Sequence, residues 1–83
     1  MIATIAMTLP PPEELLAAAL RCSPESILPG SALGVHPNWD SFGHMSLMLE
    51  LEKHYGIEIS DDTIRKYETF AMIRTRYEEL LKA

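Results

Sequence analysis

The chain has 83 residues, 47% of them apolar and 23% charged, with a formal net charge of −5. That length holds one small domain with a marginal core, which favours a compact helical bundle and excludes a deep, two-walled catalytic cleft. Charge runs −2 over residues 1–39, −5 over 40–62 and +2 over 63–83, so the acidic middle argues against nucleic acid and anionic membranes and for partners with basic patches.

Met1 to Leu9 is apolar but lacks a basic leader and is too short to span a bilayer before Pro10-Pro11-Pro12. Residues 1–11 therefore read as a flexible or loosely packed tail ahead of a folded unit over 12–83, with cytoplasmic residence as the default. A first helix starts at Pro11 or Pro12, where the missing N–H is unpaired anyway, with Glu13 and Glu14 at the positive end of the dipole. Leu16, Ala19 and Leu20 form its apolar stripe, and it ends near Arg21 or Cys22. Cys22, the single cysteine, cannot form an internal disulfide and reads as a small core residue.

Ser23 to Trp39 is a long connection punctuated by Pro24, Pro29-Gly30, Gly34 and Pro37, with one short helical turn at Ser23-Pro24-Glu25-Ser26. Ile27, Leu28, Leu33 and Val35 are spaced to pin it onto the bundle. A second helix runs from Ser41 to Tyr55, with Asp40 as N-cap and Gly56 as its terminating glycine. Leu47, Leu51 and Tyr55, with Met48 beside them, make its buried face, while Phe42, Met45 and Leu49 lie on a different stripe available for contact. Gly56-Ile57-Glu58-Ile59 is a short extended link. Ser60 caps a brief third helix through Lys66, and Thr69 caps a last helix in which Phe70, Ile73, Tyr77 and Leu80 or Leu81 recur at three and four.

Asp40, Ser41 and His44 invite a catalytic-triad reading, but residues so close at one helix end cannot align as carboxylate, base and nucleophile, and no glycine-rich elbow precedes the serine. His36, His44 and His54 do not form a metal site: His44 and His54 are separated by roughly 15 Å of helical rise, and all three read as surface or half-buried side chains. What Ser41 does have is a place in the first helical turn, beside unpaired amides and the positive dipole end, which suits a phosphate.

Asp40-Ser41-Phe42 opening a helix, followed by an LxxxLE apolar run (Leu47 to Glu52) and a Tyr55-Gly56-Ile57 end, resembles the acyl carrier protein family. The resemblance covers nearly all of residues 12–82. It implies an all-α, acyl-carrier-like bundle of three main helices plus one short helix, with a long loop between helices one and two. It also implies that Ser41 carries 4′-phosphopantetheine, installed from coenzyme A by a separate phosphopantetheinyl transferase that supplies the base and the magnesium. On this reading the chain is not an enzyme. It is a monomeric carrier of a specialised pathway, holding an acyl group as a thioester and serving an acyl- or aminoacyl-activating ligase and acyltransferase or condensing enzymes. Asp40, Phe42, Met45 and Leu49 would meet the transferase and these partners, and Leu47, Leu51, Ile59 and Ile73 would line the interior if an acyl chain is sequestered.

Departures from the family pattern shape this expectation. Gly43, His44, Ser46 and Lys53 stand where fatty-acid carriers have more acidic residues, so the anionic docking face is weaker and contact relies more on the apolar stripe. Trp39 replaces the usual small residue before the aspartate. Gly43 after Asp40-Ser41-Phe42 is reminiscent of D-alanyl carrier proteins, which keeps an aminoacyl or peptidyl carrier as the nearer alternative. An unmodified helical adaptor binding through Phe42, Met45 and Leu49 is the alternative from another class.

Overall fold

The structure, a computed structural model, describes residues 9–82. Most of the expected tail, residues 1–8, lies outside the described residues. Within the rest of it, Leu9 packs against the core and the Pro10 carbonyl accepts a hydrogen bond from the Tyr55 hydroxyl at 2.7 Å.

Helices α1 (Pro12–Leu20), α2 (Ser41–Tyr55), α3 (Asp61–Lys66) and α4 (Phe70–Lys82) follow one another, with a 3-10 turn at Pro24–Ser26 inside the long first loop. This is the expected small all-α bundle of three main helices and one short one. α1 packs chiefly on α2, and both touch α4. The core joins Leu15, Leu16 and Leu20 of α1 to Leu47, Met48, Leu51 and Tyr55 of α2 and to Phe70 and Ile73 of α4. The buried face of α1 is wider than its Leu16–Leu20 stripe, since Leu15 and Ala17 are also buried and Ala19 lies only partly so.

The helix ends follow local chemistry. α1 closes with Arg21 in the left-handed region at φ 56, and the Cys22 amide reaches the Ala17 carbonyl at 3.1 Å. Ser60 and Thr63 form a reciprocal capping box on α3, and the Thr69 hydroxyl accepts from the Met72 amide at 3.3 Å at the start of α4. Among the described residues no helix is long and apolar enough to cross a membrane.

The long loop is held differently from its expected apolar pinning. Ile27 is buried and Leu33 partly so, but Leu28 and Val35 are 61% and 69% exposed. Hydrogen bonds take over their part. The Leu33 amide donates to Glu68 O at 2.8 Å, and the Phe70 amide to Ser31 O at 2.9 Å, tying mid-loop to the start of α4. His36 accepts from the Asn38 amide at Nδ1 (3.0 Å), which leaves Nε2–H to donate to Ser26 Oγ (3.1 Å). Backbone groups paired in this way need no hydrophobic anchor at every loop residue.

Tyr55 closes the lower end of the bundle, its ring stacked on Tyr77 with centroids 5.9 Å apart. Burial first, then Tyr77 and Glu13 nearby, push its phenol well above the ordinary value. A phenol that holds its proton more tightly when folded lends full stability below the unfolded pKa of about 10 and loses it as pH rises beyond. Stability is expected to fall by about 1.4 kcal/mol per pH unit from this one group above that point. Tyr55→Phe should flatten that alkaline slope while costing about 1 kcal/mol at neutral pH for the bond to Pro10 O. Urea titrations at neutral pH and near pH ~11 check both, and an unchanged alkaline slope in the variant would refute the assignment.

Candidate functional site

The site is the junction where the long loop enters α2. Asp40 has extended backbone and its Oδ1 accepts from the Gly43 amide at 2.8 Å, the expected N-cap. Ser41 follows as the first helical residue. It is exposed, and its hydroxyl makes no hydrogen bond to any described residue. With the Gly43 amide committed to the cap, the Ser41 and Phe42 amides are left without intrahelical acceptors. The donor set beside Ser41, two free amides at the positive dipole end, therefore fits an oxyanion ester attached there.

Phe42, Met45 and Leu49 form an exposed stripe running down α2 from Ser41, at 78%, 43% and 58% exposure. Their spacing of three and four puts them on one face. Leu47, Leu51 and Ile73 are wholly buried and fill the interior, whereas Ile59 is a partly buried residue at its edge. An acyl chain entering there would have to displace packed core side chains.

Two residues that stood out as departures from the family pattern have packing reasons. A Cβ on Gly43 would lie 2.5 Å from the Asn38 carbonyl oxygen and 2.9 Å from Leu20 Cδ2. The first turn of α2 thus presses on the loop backbone at Asn38 and on a methyl at the end of α1, and the Asn38 carbonyl leaves room for glycine only. Asn38 reinforces this seam by donating from Nδ2 to the Leu20 carbonyl at 3.0 Å. Gly43 is accounted for by this contact, which says nothing about cargo. Gly43→Ala should destabilise the fold by about 1–3 kcal/mol through overpacking, against alanine's better helix propensity; a more stable variant in urea denaturation would refute the close approach.

His44 corrects the reading of all three histidines as surface or half-buried. It is 3% exposed and sits beneath a fully buried Trp39. Trp39 Nε1–H donates to His44 Nδ1 at 3.0 Å, so the opposite nitrogen, Nε2–H, donates to the Ile64 carbonyl at 2.7 Å. The reason is geometric: His44 stands three and four residues before Leu47 and Met48, on the buried face of α2. With both ring nitrogens engaged away from Ser41, His44 has no lone pair to offer as a base. His44 is also removed from any docking face, since its side chain is buried. The relay Trp39–His44–Ile64 instead joins the loop, α2 and α3 behind Ser41.

A groove of about 320 Å³ opens on the α1 side of this junction, lined by Arg21, Pro37, Asn38, Asp40, Phe42 and Gly43 together with Ala19 and Leu20. Nothing in the sequence pattern marked it, because its walls come from the end of α1 and the start of α2. His54 pairs with Glu50 at 3.2 Å on the far part of α2. Among the described residues no three His, Cys, Asp or Glu side chains gather where they could hold a metal ion. No family model matches the chain.

Proposed function

We propose that this chain is a carrier protein, bearing 4′-phosphopantetheine on Ser41 and delivering an acyl group to partner enzymes of a specialised biosynthetic pathway. The observation that carries the reading is the state of Ser41: exposed, without a hydrogen-bond partner among the described residues, and set at the first position of a helix whose cap is already supplied by Asp40. A serine used only as a structural cap would occupy the position that Asp40 fills.

When bound, the group supplies a thiol on a flexible arm that holds cargo as a thioester. The chain's own residues do the rest. The amides of Ser41 and Phe42 meet the charge of the ester at the helix start. Asp40 offers an exposed carboxylate to a basic patch on the loading transferase. The Phe42, Met45 and Leu49 stripe lies against an apolar groove of an activating ligase, acyltransferase or condensing enzyme. Gly43, explained by packing, does not favour D-alanine over an acyl cargo, so an aminoacyl carrier stands as the neighbouring form of the same proposal.

The exposed stripe also supports a second reading, an unmodified helical adaptor that binds through Phe42, Met45 and Leu49. Intact mass after incubation with coenzyme A, magnesium and a promiscuous phosphopantetheinyl transferase separates the two. One phosphopantetheinyl addition is expected; a folded protein of unchanged mass favours the adaptor. Offering the loaded form to an amino-acid-activating and an acyl-activating ligase then distinguishes the cargo classes.

A further inference from the structure

Two independent features of the groove beside Ser41 bear on what it holds. The first is charge. Arg21 is the only lysine or arginine before Lys53, it lines the groove, and among the described residues it makes no ion pair. Asp40, on the same groove, already accepts at Oδ1 from the Gly43 amide. An anionic ester on Ser41 would lie in the most acidic third of the chain, and Arg21 is the one cation lining the groove that can offset it. A guanidinium fork is also well shaped to bond a phosphate ester.

The second feature is the lining. At about 320 Å³ the groove falls at the small end of ligand sites. Ala19, Leu20, Pro37 and Phe42 give it apolar walls. Asn38 spends its side-chain N–H on the Leu20 carbonyl, which leaves its side-chain oxygen as an acceptor. The groove thus offers one cation, apolar walls and an amide acceptor, and the arm carries a phosphodiester, a gem-dimethyl carbon and amide N–H groups to meet them.

We infer that the 4′-phosphopantetheine arm rests in this groove, with Arg21 against its phosphodiester, and not in the interior filled by Leu47, Leu51 and Ile73. The inference rests on the carrier reading of Ser41. It gives Phe42 two neighbours, the arm on its groove side and a partner on its solvent side.

Arg21→Gly tests this without harming the fold. Arg21 occupies the left-handed conformation at the end of α1, where glycine is the favoured residue, so the variant should denature no earlier than the parent. The experiment is NMR on isotope-labelled protein loaded by a transferase. Contacts are expected from the arm's gem-dimethyl protons to the Ala19 and Leu20 methyls and the Phe42 ring, and these should be lost in Arg21→Gly. Loaded protein whose arm contacts Leu47, Ile59 or Ile73, or nothing, would overturn the groove while leaving the carrier intact. Contacts undiminished in Arg21→Gly would remove the part assigned to Arg21. Failure to load, seen in the mass alone, would overturn the carrier reading and this inference with it.

Discussion

Ser41→Ala is expected to abolish phosphopantetheinyl loading completely while leaving stability within about 0.5 kcal/mol of the parent. The side chain is exposed and bonds to no described residue, so its removal leaves no buried group unpaired. Asp40→Asn is the sharper companion. Asparagine caps helices about as well as aspartate, so the bond to the Gly43 amide is retained and only the charge goes. If Asp40 holds the transferase through a charge-assisted hydrogen bond worth about 1.5–3 kcal/mol, loading should slow by about tenfold or more. Asp40→Ala removes cap and charge together, adding about 1 kcal/mol of destabilisation. Loading rates by intact mass, set beside urea midpoints for all three variants, separate recognition from folding. An Asp40→Asn protein loaded as fast as the parent would leave Asp40 as a cap only. Any loading of Ser41→Ala would move the attachment site elsewhere.

What could be read from the chain alone depended on how local its cause was. The limits of α2 follow from Asp40 and Gly56, and its exposed stripe from the spacing of Phe42, Met45 and Leu49; all were legible because capping and periodicity are properties of neighbouring residues. The capping of α3 by Ser60 and of α4 by Thr69 was legible for the same reason. Leu28 and Val35 mislead because apolar loop residues suggest anchors, while backbone bonds between Leu33 and Glu68 and between Ser31 and Phe70, 35 and 39 residues apart, take that part. Gly43 departs from a family pattern, but its cause is the close approach of the Asn38 carbonyl, with Leu20 beyond it at the α1–α2 seam. His44 is the instructive case. Its position three and four before Leu47 and Met48 placed it on the buried face, and that signal was present in the sequence. A polar residue is discounted there unless a partner is visible, and the partner, Trp39, precedes the helix.

Trp39→Ala is expected to be the most damaging single change to the fold, at about 3–5 kcal/mol for the lost side chain alone. Trp39 is wholly buried, and it supplies the hydrogen bond to His44 Nδ1. Leaving that nitrogen buried and unpaired costs a further ~1–3 kcal/mol. A domain of this length has about 4–12 kcal/mol in all, so the variant should be largely unfolded or close to it at room temperature. Trp39→Phe keeps much of the buried ring and removes the N–H, and so isolates the bond: a loss of about 1–3 kcal/mol is expected. The relay also bears on function, because His44 belongs to the first turn of α2 and its other nitrogen holds the Ile64 carbonyl in α3. Trp39→Phe should therefore lower amide-exchange protection at Gly43 and His44, the first bonded amides of α2, more than at Leu47 to Tyr55, loosening the attachment point before the helix behind it. Uniform loss of protection along α2 would mean that Trp39 acts as core volume alone. Protection and stability both equal to the parent would mean that the Trp39–His44 bond carries no weight in holding Ser41 where it stands.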